Sequence, residues 1–171
     1  PYPLDVSWRT KRSTMGGLVL SMDCHDIDML RWLIGEVKSV KAEMKRLVYD
    51  EIDYEDNGWL IFSFENGAIG ALGSSMSCYM NVYEYMVLGT KGTLRTYPYE
   101  KTVISKIGEK ETRESLKEET HSVHKEISLF LDSIERGGIV ESLACGEDGK
   151  TANYIVESAH KSMHTGLTVV L

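Results

Sequence analysis

The sequence predicts an α+β fold: an open, mostly antiparallel β-sheet with helices packed on one face. Three observations carry this. Short strand-like runs follow one another from Val40 to Ile107, joined by tight-turn signals and not by helices. Helix-spaced apolar residues are confined to the two flanks of that block. The order is helix, many strands, then helices, without the strand–helix alternation of a doubly wound parallel sheet.

Pro1–Thr14 is polar, with Pro3 disfavouring helix at Tyr2, and reads as an extended linker arriving from something upstream; residues 15–171 form the domain proper. From Gly16-Gly17 to Gly35, apolar residues fall almost all round (Leu18, Val19, Leu20, Met22, Ile27, Met29, Leu30, Trp32, Leu33, Ile34). This predicts a largely buried helix closed by Gly35. Val40, Ala42, Met44 and Val48 alternate with Lys41, Glu43 and Lys45, as in a strand with one wet face. Trp59–Phe64 and Ala68–Ser77 are strands joined by Asn66-Gly67, a strong hairpin signal. Tyr83–Leu88 and Thr93–Tyr97 pair through Gly89–Gly92, and Thr102–Ile107 is a shorter strand. Beyond a charged stretch, Val123, Ile127, Phe130, Leu131 and Ile134 keep helical spacing up to Gly137-Gly138. Ala152, Ile155, Val156, Ala159 and Met163 give a last helix stopped by Gly166, and Leu167–Leu171 is a terminal strand.

A chain of 171 residues suits one domain and buries roughly two-thirds of its unfolded surface, so folding needs neither disulfide nor metal. A formal charge of -7 argues against nucleic acid as a partner, because phosphate binding needs a basic face. No apolar run reaches transmembrane length, so no membrane partner is expected. Cys24, Cys78 and Cys145 are odd in number and far apart, which points to a reducing cytoplasm.

No Gly-x-Gly-x-x-Gly follows a strand, and Gly89-Thr90-Lys91-Gly92 fits a hairpin turn, so no dinucleotide site is expected in this chain. On a helix, Ser21, Asp28 and Trp32 fall on the same side as His25. A histidine beside a carboxylate on such a face suits general acid–base work, with Asp28 orienting the ring. A core histidine in a helical pair explains the same spacing. His121 with His124, and His160 with His164, are spaced like metal-ligand pairs but lack a third ligand nearby, so no metal is expected. The acidic run from Asp50 to Asp56 has neither the spacing nor the glycine of a calcium loop and reads as a solvated connection. Tyr79–Tyr83 could line a polyol pocket or close an edge of the core.

These residues resemble the glucose-fructose oxidoreductase/inositol dehydrogenase/rhizopine catabolism (Gfo/Idh/MocA) family. The resemblance lies in Gly16-Gly17, His25, Asp28 and Trp32-Leu33-Ile34-Gly35, with Trp8-Arg9 as the incoming segment. Glu65-Asn66-Gly67-Ala68, Gly89-Thr90-Lys91-Gly92, Asp148-Gly149 and Ser162–Val169 extend it along the chain. It covers the family's second domain only. It implies His25 as the catalytic histidine with Asp28 beside it, Ser21, Trp32, Arg9 and Tyr79 at the substrate, and a sugar or polyol as substrate. NAD or NADP would be bound mainly by a preceding nucleotide-binding domain, which would also supply the catalytic lysine. The family also places an aspartate where this chain has Ser21, and with that residue and the catalytic lysine both absent the chain alone is expected to be inactive. A non-catalytic oligomerisation module stays open as an alternative, as does a branch using NAD transiently for glycoside cleavage or epimerisation. The second sheet face, with small and apolar residues alternating (Ile69, Ala71 and Gly73; Ala68, Gly70 and Leu72) and no helix left to cover it, predicts a homodimer or higher oligomer through the sheet.

Overall fold

The computed structural model describes residues 7–117 and 122–171. A 3₁₀ turn at Ser7–Thr10 leads into α1 (Arg12–Met15), a π-helical turn at Val19–Asp23 and α2 (Cys24–Ile34). Strands β1 (Val37–Lys45), β2 (Asn57–Phe64), β3 (Ile69–Ser75), β4 (Tyr85–Gly89) and β5 (Gly92–Tyr97) follow. A 3₁₀ turn at Pro98–Glu100 precedes β6 (Thr102–Ile107) and β7 (Lys110–Ser115). The chain then runs through α3 (Ser122–Arg136), α4 (Gly146–Thr165) and β8 (Val169–Val170). The α+β class holds, and the strand pairs are antiparallel. The strands divide into two four-stranded sheets, ordered β3-β2-β1-β8 and β4-β5-β6-β7. They belong to two compact units, one made of the chain up to Tyr79 with Ala144–Leu171, the other of Met80–Leu143.

In the first unit, β1 and β2 turn Val40, Ala42, Leu60, Phe62 and Phe64 to one face, where the π turn, α2 and α4 close over them. Helix α4 supplies Ala152, Ile155, Val156 and Ala159 at helical spacing. It starts with a reciprocal cap, the Cys145 N–H donating to Asp148 Oδ2 at 2.8 Å. Buried Ser162 fastens it to the sheet: its Oγ accepts the Ala42 N–H at 3.0 Å and donates to the Leu167 carbonyl at 2.6 Å. The Asn66-Gly67 turn forms as the sequence predicts, with Gly67 at φ 87°. Asn66 also donates to the Ile34 carbonyl at 2.6 Å, tying the hairpin to the end of α2. The opposite sheet face stays open, with Trp59 65% and Ile69 83% exposed. Gly73 pairs with Trp59 across the strands, and the indole lies where its side chain would be.

The second unit is a β meander followed by α3. The stripe Val123, Ile127, Phe130, Leu131 and Ile134 on α3 is exposed, as are Met86, Leu88 and Ile107 of the sheet. No described helix is long and apolar enough to cross a membrane.

Four expectations need correction. Pro1–Val6 lies outside the described residues, but from Ser7 the linker is helical, not extended: a 3₁₀ turn and α1. The helix before Gly35 is not buried all round: Ile27 is buried in α2, whereas Met29, Trp32 and Leu33 are exposed. The acidic run is only partly solvated: Asp50, Glu51 and Asp53 are exposed, but Ile52, Tyr54, Glu55 and Asp56 are all buried. Asp56 accepts the Leu47, Val48 and Tyr49 N–H groups, each at 2.8 Å. Burial alone would raise its pKa, but these donors and Asn57 hold it below the usual carboxylate range. Lastly, the charged stretch before α3 contains a strand, β7.

Candidate functional site

Ser21 lies in the π turn, and His25, Asp28 and Trp32 lie on α2. His25, Met29 and Trp32, at offsets of four and seven residues, form one exposed stripe, with Trp32 80% exposed. Among the described residues no side-chain hydrogen bond engages the His25 imidazole, so the ring is presented and not tied into the core.

Asp28 is half-buried, and its carboxylate takes a hydrogen bond from Arg31 at 3.1 Å. Arg31 is a hub at the carboxy-terminal end of α2, also pairing with Glu36 at 2.9 Å and donating to the Asp148 carbonyl at 3.3 Å. Asp28 is therefore held by a cation on its own helix and not by His25. Arg9 sits in the incoming 3₁₀ turn with its guanidinium 5.1 Å from the Trp8 ring centroid. Tyr79 is almost fully exposed after β3.

Asp23, two residues before His25, carries no signal in the sequence, yet the structure gives it an unusual setting. It ends the π turn at 4% exposure, and its Oδ2 has no hydrogen-bond partner among the described residues. Burial raises its pKa to about 7, against a hydrogen bond from Ser74, with the charges of Asp26 and Glu55 adding to the rise. π turns recur at functional sites, as do strongly shifted carboxyls. Next to it, burial also pushes the Cys24 thiol up, away from the reactive thiolate.

A second cluster was equally hidden. Glu55 pairs with Arg12 through Oε2, and its Oε1 lies 3.2 Å from His160 Nε2. Burial would raise the Glu55 pKa; the His160 hydrogen bond and the Arg12 charge outweigh it and hold the group low. His160, read from spacing as half of a metal pair, is thus engaged by a carboxylate and a guanidinium. The other suggested pair includes His121, which lies outside the described residues. Among the described residues no three His, Cys, Asp or Glu side chains gather as a metal site. The alternation of Ile52, Tyr54 and Asp56 was the one sequence signal that this acidic run packs inward.

The described residues contain no strand–glycine-turn–helix unit, and the strand pairs are antiparallel. The pyrophosphate of a dinucleotide therefore finds no backbone cradle in them.

The profile of the GFO/IDH/MocA C-terminal domain matches residues 1–95. Myo-inositol 2-dehydrogenase of Thermotoga maritima is 30% identical over 185 residues, covering 100% of this chain and 52% of its own length. The uncharacterized oxidoreductase YrbE of Bacillus subtilis is 31% identical over 174 residues, covering 91% of this chain and 48% of its own. The chain thus spans about half the length of the curated relatives it matches. Among solved structures, aldose-aldose oxidoreductase from Caulobacter crescentus, complexed with glycerol, aligns with a TM-score of 0.84 at 23% identity, over 96% of this chain and 51% of that one. Levoglucosan dehydrogenase in complex with NADH aligns with a TM-score of 0.84 at 20% identity, over 96% and 53%. These structural likenesses establish the shared fold.

Proposed function

We propose, on the premise that this chain belongs to the GFO/IDH/MocA family and carries its C-terminal domain, that it is the substrate-binding and dimerisation half of an NAD(P)-dependent oxidoreductase acting on a sugar or polyol hydroxyl. The observation that carries this reading is the exposed stripe on α2, with the unengaged His25 imidazole at its head and Trp32 at its foot. Oxidising a hydroxyl carbon needs a base within reach of the hydroxyl proton, and imidazole titrates in the right range for that task. His25 takes that proton at a ring nitrogen. Asp28, held in place by Arg31, lends negative charge on the same helix. Trp32 offers an apolar face to the C–H side of a sugar ring, and Ser21, Arg9 and Tyr79 offer hydrogen bonds to further hydroxyls.

A nicotinamide dinucleotide, which supplies the hydride acceptor in such enzymes, finds no pyrophosphate cradle among the described residues and would be held mainly by a separate nucleotide-binding domain. The relatives named as dehydrogenases, about twice as long as this chain, support that division. A second copy would cover the open sheet face at Trp59, Ile61, Ile69 and Ala71. A cytoplasmic setting is part of the same proposal.

The test is His25→Ala in the protein with both domains. The rate should fall roughly 10²–10⁴-fold with the circular dichroism spectrum unchanged. Turnover within a few-fold of the parent removes His25 from the chemistry. Ser21→Asp should raise activity; a dimer inert in both forms would favour a module kept for assembly.

A further inference from the structure

We propose that Glu55 is a positioning residue for His25: anchored by His160, it holds itself and Arg12 against Gly17 and so fixes where the His25-bearing helical run begins. This rests on the reading of His25 as the proton-transfer group.

The Glu55 side chain is 1% exposed, and both carboxylate oxygens are engaged. Oε2 takes the Arg12 guanidinium, while Oε1 lies 3.2 Å from His160 Nε2, which in turn lies 3.2 Å from Arg12 Nη1. The three residues come from α1, from the loop between β1 and β2, and from α4. Glu55 is the buried member, with Arg12 35% and His160 18% exposed, so losing its partners would leave the carboxylate charged and without water, and the set favours a single arrangement. Asp53 adds a second tie from the same loop, its Oδ1 accepting the Arg12 N–H at 2.5 Å.

Gly17 passes this arrangement on to the helix. Its φ is 100°, and a Cβ there would lie 2.7 Å from Glu55 Oε1 and 2.9 Å from Arg12 Nη1. The backbone therefore runs against the ion cluster with no side chain between them. The Gly17 carbonyl accepts the Ser21 N–H at 3.1 Å, the first bond of the helical run. A cluster that fixes Gly17 fixes the phase of everything wound after it, including His25. Displacement of a catalytic group by about 1 Å is enough to lower a rate on the order of 10²-fold.

The experiment uses the protein with its nucleotide-binding domain and compares Glu55→Ala and Glu55→Gln with His25→Ala. Glu55→Ala should lower kcat roughly 10–100-fold while KM stays within about threefold. Amides in the 17–25 segment should exchange at least about tenfold faster, with β1 and β2 unchanged. Glu55→Gln, which still offers Arg12 an acceptor, should recover much of kcat. Faster exchange throughout the first unit would mean that Glu55 only supports the fold, which overturns the proposal. So would an unchanged kcat in Glu55→Ala where His25→Ala is inactive. Where Glu55→Ala does not fold, His160→Gln removes one arm of the cluster and is read by the same criteria. If His25→Ala turns over normally, the proton-transfer reading fails, and the exchange pattern still decides whether Glu55 positions the helix.

Discussion

Replacing Asp23 by asparagine isolates the buried carboxyl two residues before His25. Burial lifts its pKa from 3.8 to about 7, so its protonated form is the one the fold favours. A carboxyl raised on folding contributes stability that is fully present below its unfolded pKa, about 4, and is lost as the pH rises through about 7. Three units at about 1.4 kcal/mol each give a total near 4 kcal/mol. Between about pH 5 and pH 8 only the stretch up to about 7 titrates, leaving about 3 kcal/mol. Asparagine keeps the shape and cannot ionise. Urea unfolding followed by circular dichroism at both pH values should show the parent losing about 3 kcal/mol more than Asp23→Asn over that interval. Titrating groups away from this segment are common to the two proteins and cancel; Asp26 and Glu55, whose charges add to the Asp23 shift, are the groups that the substitution also touches. Parallel stability curves for the two would refute the argument and place the ionised carboxylate in contact with water.

Three further outcomes are expected. Ser162→Ala removes a buried hydroxyl that satisfies the Ala42 N–H and the Leu167 carbonyl, and should cost about 1–3 kcal/mol in the same unfolding assay. Trp59→Glu puts a charge on the open sheet face; light scattering should show the parent self-associating over an interface of at least roughly 1,000 Å² and the variant monomeric. This chain by itself should bind neither NAD nor NADP in titration calorimetry, and micromolar binding would contradict the absence of a pyrophosphate cradle.

Most elements were legible in the sequence where periodicity and turn chemistry agreed. The Asn66-Gly67 hairpin and α4 with its Gly166 stop are examples. β7 was hidden because Lys110–Ser115 is almost wholly exposed and has no apolar face to alternate. It is the edge strand of its sheet, where charge guards against stray pairing. The division into two sheets was not legible, because strand spacing says which runs pair but not where a sheet stops. The burial of α2 was overread: apolar residues all round a helix suggested a core element, yet Met29, Trp32 and Leu33 face outward. For the site, the helical run carrying Ser21, His25, Asp28 and Trp32 could be read directly, but not the π turn that holds Ser21 nor the pairing of Asp28 with Arg31. The Glu55–Arg12–His160 set could not, since its members are 43 and 105 residues from Glu55 and only the fold joins them.

The π turn at Val19–Asp23 also bears on how this chain can change in length. Such a turn holds one residue more than an α-helical turn, and each helical residue advances the winding by about 100°. Deleting one residue between Val19 and Met22 would let the run wind as continuous α-helix into α2. Ile27 would stay seated in the core, and His25 would keep its outward bearing. Gly16 and Gly17, at φ values of 87° and 100°, would keep their place ahead of the helix, because the extra residue is accommodated within the turn itself. The segment is thus a splice point: a one-residue gap there can separate this sequence from a relative without altering which side chains the helix displays.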